Sequence, residues 1–173
     1  MSELDEPVTV VDHRAEWRSE AGAEAARIAR ALGLAASDVE HIGSTAVAGL
    51  AAKPTIDLMV GAVDYLAPAL QSALVALGYE SLGEADVPGR SYFRLRGSLS
   101  FNVHLVLKGG RHWQNNLALR QYLRGSPAAR RRYTEAKQVA LSSGSKTLVA
   151  YSAAKAAAVA ALLQEALVAD RGR

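Results

Sequence analysis

Three stretches of the chain alternate apolar and polar residues with the period of two that marks a strand with one buried face. In residues 99–107, Leu99, Phe101, Val103, Leu105 and Leu107 point one way, and Ser100, Asn102 and His104 the other. In 91–96, Phe93 and Leu95 oppose Tyr92, Arg94 and Arg96. In 55–60, Ile56, Leu58 and Val60 oppose Thr55, Asp57 and Met59. Shorter strands at 38–42 and 79–82 bring the set to five. The 91–96 and 99–107 runs, joined by a short Gly-Ser link, read as an antiparallel hairpin. Helical spacing takes over in 15–34, 66–77, 112–123, 127–141 and 146–168, with a short helix or turn at 45–50. Gly33 and Gly78 punctuate the first two helices, and a Ser-Gly-Ser break separates the last two.

This order predicts an α/β (α+β) fold: a mixed central sheet of about five strands with helices packed on it, followed by C-terminal helices. One domain spans residues 1–173, with a sheet core at about 10–110 and a helical part at about 111–170. If the polar faces of the three alternating strands align, Asp57, Asn102, His104, Tyr92, Arg94 and Arg96 line one open side of the sheet. That is the floor of a cleft rather than a core.

Composition narrows the function classes. Half of the 173 residues are apolar and 21% are charged, the balance of an ordinary globular domain. The absence of cysteine excludes disulfides and thiolate metal sites. The acidic start has no basic segment followed by an apolar core, as an export signal requires. No uninterrupted apolar run approaches the ~20 residues of a membrane span, because Tyr151, Ser152, Lys155, Gln164 and Glu165 interrupt residues 149–168. The expectation is a cytoplasmic protein without a membrane partner. The net charge is +3, yet Arg120, Arg124, Arg130, Arg131 and Arg132 crowd one region. A solvated helix face explains them more simply than nucleic-acid binding. Trp17 and Trp113 read as core anchors.

The candidate chemistry lies in residues 40–60, EHIGSTAVAGLAAKPTIDLMV. The turn Gly43-Ser44-Thr45 follows a strand and offers backbone N–H groups and hydroxyls, which suit a phosphate. Ser44 equally suits a helix cap, and the two roles are compatible. Asp57, inside an apolar strand, needs a partner: a cation it ligates, or a salt bridge to Arg94, Arg96 or Lys53. Lys53, between the turn and Asp57, is placed to neutralise phosphate. Glu40 and His41 lie on opposite faces of their strand. Tyr133 with Lys137, and Tyr151 with Lys155, are i,i+4 pairs, each sharing one helical face. Such a pair can stack on a base and hold a phosphate, or pack a tyrosine in the core while the lysine snorkels past it.

The same run resembles the signature of the GrpB family, within the nucleotidyltransferase superfamily of DNA-polymerase-β-like fold. The resemblance continues through Trp17, Leu-Gly-Tyr at 77–79, FNVHLV, LRQYLR at 119–124 and both Tyr-x-x-x-Lys pairs. The module also resembles the domain fused to some bacterial dephospho-CoA kinases. Active members of the superfamily follow the Gly-Ser turn with two carboxylates two residues apart and a third on a neighbouring strand. Ser44 and Asp57 match the first two of these features, Met59 stands where the second carboxylate belongs, and His104 stands near the third. The resemblance therefore implies metal-dependent nucleotidyl transfer from a nucleoside triphosphate to a small acceptor. Asp57 and His104 would be the catalytic groups and the ligands of Mg or Mn, although an imidazole suits Zn, Mn or Ni better than Mg. Gly43, Ser44, Thr45, Lys53, Arg94, Arg96, Tyr133, Lys137, Tyr151 and Lys155 would contact the nucleotide. Two alternatives follow from the departures. One is a module that lost catalysis and binds a nucleotide or other phosphate compound. The other is a nucleic-acid or partner-binding protein that uses the arginine cluster. Ala48 and Gln121 also depart from the family pattern, which has Pro and Asp there.

Overall fold

A computed structural model describes residues 5–144 and 146–171, with the backbone alone for Arg171. Residues 1–4 of the acidic start and Ser145 of the Ser-Gly-Ser break lie outside the described residues. The elements run α1 (Trp17–Leu32), β1 (Val39–Ile42), a 3-10 turn at Ser44–Ala46, β2 (Ile56–Ala62), α2 (Pro68–Ala76), β3 (Glu80–Ser81), β4 (Arg90–Leu95), β5 (Phe101–Leu107), α3 (Arg111–Gly125), α4 (Pro127–Ser142) and α5 (Leu148–Arg171). The strands form one sheet in the order β1-β2-β5-β4-β3. Only the central pair, β2 and β5, is parallel, with Asp57 beside Asn102 and Met59 beside His104. The mixed sheet, its helices and the C-terminal helical part are those expected of the nucleotidyltransferase-like fold.

Alternation sorts the side chains as the pattern predicts. Ile56, Leu58 and Val60 of β2, Phe93 of β4, and Val103 and Leu105 of β5 meet Trp17 and Ile28 of α1 and Leu74 of α2 in the main core. Each such fully buried side chain contributes about 1.5–3 kcal/mol. The opposite face is divided. Over one half lies α3, whose Trp113 packs on Ile42, Met59 and Val106. Gly61 makes this fit possible, because a Cβ there would stand 2.5 Å from the Trp113 ring. The other half, around Asp57, Asn102, His104 and Tyr92, is left open.

Two boundaries differ from the pattern for a local reason. β5 starts at Phe101 rather than Leu99, and a five-residue loop replaces the short Gly-Ser link. Arg96 closes that loop by donating to Leu95 O and Phe101 O, so it leaves the strand, and Leu99 is 37% exposed. At 45–50 the backbone completes only the single turn Ser44–Ala46 before extending again.

The last three helices pack as a unit. Leu123 of α3, Ala129 and Tyr133 of α4, and Leu162 of α5 form a second core that also takes in Val47 and Leu50 from the segment after the turn. Ser44 is thereby seated under α4. By length and composition, Leu148–Asp170 would suffice to cross a membrane. In this fold the helix buries Tyr151, Leu162 and Ala166, while only 11% of that apolar window is buried. The N-terminal segment crosses both parts: Val11 pairs with Ala52 and Pro7 with Thr147.

Candidate functional site

Ile42, the last residue of β1, pairs with Asp57, so the turn that follows folds over the carboxylate. Gly43 adopts φ 71° and ψ −168°, a backbone state that L side chains rarely occupy. A Cβ at Gly43 would also stand 2.8 Å from Asp57 Oδ2. Backbone conformation and close approach together require glycine here.

The other oxygen of Asp57 is held from two sides. Asn102 Nδ2 donates to Oδ1 at 2.8 Å, and His104 Nε2 faces the same atom at 3.4 Å. Each donor is itself aimed. Arg96 Nη2 donates to Asn102 Oδ1 at 3.0 Å while Glu6 holds the guanidinium, so the amide turns its nitrogen toward Asp57. Arg90 Nη1 lies 3.1 Å from His104 Nδ1. A guanidinium can only donate, so Nδ1 is the acceptor and the ring N–H is at Nε2, toward Asp57. Burial on its own would raise the Asp57 carboxyl. The hydrogen bond from His104, the charge of Lys53 and the Asn102 amide outweigh it and hold Asp57 well below the usual carboxylate range.

Above the turn, α4 and α5 bring both tyrosine–lysine pairs onto the same spot. Ser44, Lys53, Asp57, Tyr133, Lys137, Tyr151 and Lys155 line a cavity of about 80 Å³. Lys137 is 3% exposed, and its Nζ donates to Ser44 Oγ and to Ala51 O, both at 2.7 Å. The Tyr133 hydroxyl stands 3.4 Å from Ser44 Oγ. The two lysine nitrogens sit over their partner rings, at 4.7 Å for Tyr133 and 4.5 Å for Tyr151. Burial, then the neighbouring Lys155, lowers Lys137 from 10.5 to about 7, with Asp57 opposing the shift. Burial lowers Lys53 and Lys155 as well, again against the pull of Asp57. One carboxylate thus opposes the loss of charge at all three amines. On the far side of Asp57, a chamber of about 410 Å³ shares Lys53, Asp57 and Lys155 with this cavity and continues to Arg90, Tyr92, His104, Val87 and Val149. That volume lies within the range of small-molecule sites, about 300–1,000 Å³.

The family profile described as GrpB protein matches residues 7–165. The chain belongs to the GrpB family. Among relatives, a UPF0157 protein of Deinococcus radiodurans is 39% identical over 140 residues, covering 78% of this chain and 70% of that protein. The UPF0157 protein SCO7215 of Streptomyces coelicolor is 34% identical over 161 residues, covering 92% and 84%. The crystal structure of the conserved protein GrpB from Enterococcus faecalis superposes with a TM-score of 0.80 at 30% identity, over 92% of this chain and 97% of that one.

Not every expected contact of this GrpB chain reaches the cavity. Gly43, Ser44, Lys53, Tyr133, Lys137, Tyr151 and Lys155 converge there. Thr45 lines it too, but its Oγ1 is engaged by His41 Nε2 at 2.8 Å. Arg94 lies on the cleft face yet turns to the sheet edge, where Glu80 holds its Nε at 2.6 Å. Arg96 lines neither space and bonds Asn102, Glu6 and the Phe101 carbonyl. Asp57 forms its hydrogen bonds with Asn102 and His104, not with Arg94 or Arg96. Glu40 shares the Asp57 face but is under α3, bonded to Arg120 rather than to Lys53. Four members of the arginine cluster bond internally: Arg120 to Glu40, Arg124 to Ala46 O, Arg130 to two carbonyls of α3, and Arg132 to Glu165. Arg90, one residue ahead of the alternation at 91–96, is a further residue of the chamber, because β4 starts at Arg90. Its place two residues before Tyr92, on the polar face, was the signal available.

The resemblance to nucleotidyltransferases implies a divalent metal, and the donor set here does not fit one. Met59, where a second carboxylate belongs, is fully buried beneath Trp113. A metal-bound histidine turns a lone pair to the metal and hands its other N–H to an acceptor. His104 does the reverse: it presents N–H to Asp57, and its other nitrogen faces the donor Arg90. Among the described residues, no three of His, Asp and Glu converge.

Proposed function

We propose that the chain binds the phosphates of a nucleotide without a metal ion, with lysines in the role that cations play in active nucleotidyltransferases. The convergence of Lys53, Lys137 and Lys155 on the Ser44 turn carries this reading. The ammonium groups of Lys53 and Lys155, with the half-protonated Lys137 behind them, face one carboxylate and leave the cavity short of negative charge, which an anionic ligand supplies. Lys53 and Lys155, which line both spaces, meet the phosphates. The adjoining chamber, with the Tyr92 ring and the Arg90 guanidinium 4.7 Å above it, receives the organic part. Asp57, ionised at neutral pH, favours the charged forms of Lys53 and Lys155 between ligands. It is too weak a base to take a proton from an acceptor, and no step of nucleotidyl transfer is assigned to it. The reading favours the nucleotide-binding module over the transferase, because a single carboxylate and a reversed histidine do not assemble a metal site.

Calorimetric titration with ATP, GTP, CTP and UTP, each with a chelator present, tests this. At least one should bind, and binding should weaken as salt is raised. No heat from any of the four would reject the reading. Lys53→Met with Lys155→Met should abolish binding while the unfolding transition remains cooperative.

A further inference from the structure

Ser44 and Lys137 hold a relation that phosphate binding alone does not require. A lysine meant only to attract anions is best left solvated and charged. Lys137 is 3% exposed, is walled by the Tyr133 ring, and its two hydrogen bonds go to a hydroxyl and a carbonyl, not to a carboxylate. Ala51 O fixes the amine so that it meets Ser44 Oγ at 2.7 Å. The serine is itself pinned, because the turn bearing it is anchored through Val47 and Leu50 to α3, α4 and α5. A buried amine aimed at a serine hydroxyl is the arrangement by which lysine serves as general base to a serine nucleophile.

We propose that Ser44 is a nucleophile activated by Lys137, and that it accepts a phosphoryl group from the nucleoside triphosphate of the proposed function, on which the identity of the donor rests. In its neutral form Lys137 keeps its donation to Ala51 O and turns its lone pair to Ser44, so the Ser44 O–H donates to Nζ and gives up its proton there. Oγ attacks the γ-phosphorus, and an Oγ–P bond forms as the bond from that phosphorus to the β,γ-bridging oxygen breaks. The electron pair leaves with the nucleoside diphosphate. Lys53 and Lys155 offset the charge on the transferred and departing groups. The product is a phosphoserine beside the newly made Lys137 ammonium. The amine is ready for this role because burial and Lys155 bring it to about 7. The charged and titratable groups that share the cavity with it are Lys53 and Asp57 from the sheet side, Tyr133 from α4, and Tyr151 and Lys155 from α5.

A fluorophosphonate probe tests the nucleophile without any nucleotide: Oγ–P forms, P–F breaks, fluoride leaves, and the proton goes to Lys137. Peptide mapping should place the adduct on Ser44, with none in Ser44→Ala. The labelling rate should rise with pH about a midpoint near 7. Lys155→Met should move that midpoint upward, since it removes a positive neighbour. Lys137→Met should lose the labelling, and the pH profiles of the wild type and Lys155→Met keep the test decisive if Lys137→Met does not fold. Incubation with ATP should then add one phosphoryl mass at Ser44. No adduct from either reagent in a chain that binds ATP by calorimetry would overturn the nucleophile and leave the binding reading standing. Equal labelling of wild type and a folded Lys137→Met would overturn it as well. Probe labelling in a chain that binds no nucleotide would uphold the nucleophile and reject the ligand.

Discussion

The two faces of the sheet use the same strands for opposite ends. Toward α1 and α2, β2, β4 and β5 present Ile56, Leu58, Val60, Phe93, Val103 and Leu105, and helices cover them completely. On the other face the same strands present Asp57, Asn102, His104, Tyr92 and Arg90, and only the half beneath Trp113 is closed. The first face is filled by shape alone. The second is held by directed hydrogen bonds that leave an open, cationic cavity. Stability is therefore concentrated on one face and ligand chemistry on the other, a division that substitution can test.

The largest effect is expected on the closed face. Phe93→Ala, at a position with no exposure, should cost about 3–5 kcal/mol in urea unfolding and leave the affinity of the remaining folded protein for nucleotide unchanged. A drop in affinity as large as the drop in stability would show that the faces are not separate. At the seam, Gly61→Ala drives a methyl into Trp113 and should cost about 1–3 kcal/mol, with recovery when Trp113→Leu is added. Absence of that recovery would mean that α3 is not seated by this contact.

On the open face the signal is pH. The Lys137 amine sits at about 7 in the folded chain against an ordinary 10.5, so between these values the unfolded chain binds more protons. Stability should rise with pH from about 7 toward 10, by up to about 1.4 kcal/mol per pH unit for this one group. The lowered Lys53 and Lys155 add in the same direction. Urea unfolding at a series of pH values should show the rise in the wild type and a shallower one in Lys137→Met. A flat profile in the wild type would contradict the buried neutral amine. The smallest change in stability is expected for Lys155→Met, within about 0.5 kcal/mol of the wild type, with nucleotide affinity reduced roughly tenfold.

Much of this division was legible in the sequence. Period-two alternation assigned Asp57, Asn102, His104 and Tyr92 to one face and the main core to the other, since strand geometry leaves no third choice. The Gly43-Ser44 turn was legible because glycine ends a strand and serine can cap the turn that follows, although the pair alone does not single out a phosphate site. The pairs Tyr133/Lys137 and Tyr151/Lys155 were visible as helical faces, but their aim was not: where two helices cross over a turn about ninety residues earlier is a tertiary fact. Arg94 and Arg96 show the converse limit. Alternation gave Arg94 its face, yet Glu80 on the neighbouring strand and Glu6 from the N-terminal segment decide where the two guanidinium groups go. Position in the strand gives His104 its place beside Asp57; only the donor Arg90 on its other nitrogen reveals that it presents a proton.

The direct test of the metal-free cationic cavity is titration of the wild type and Asp57→Asn with a nucleoside triphosphate, once with chelator and once with Mg²⁺. The account predicts binding with chelator in both proteins, at least as tight in Asp57→Asn, since that change removes negative charge beside the ligand. Binding that requires Mg²⁺ in the wild type and disappears in Asp57→Asn would contradict it.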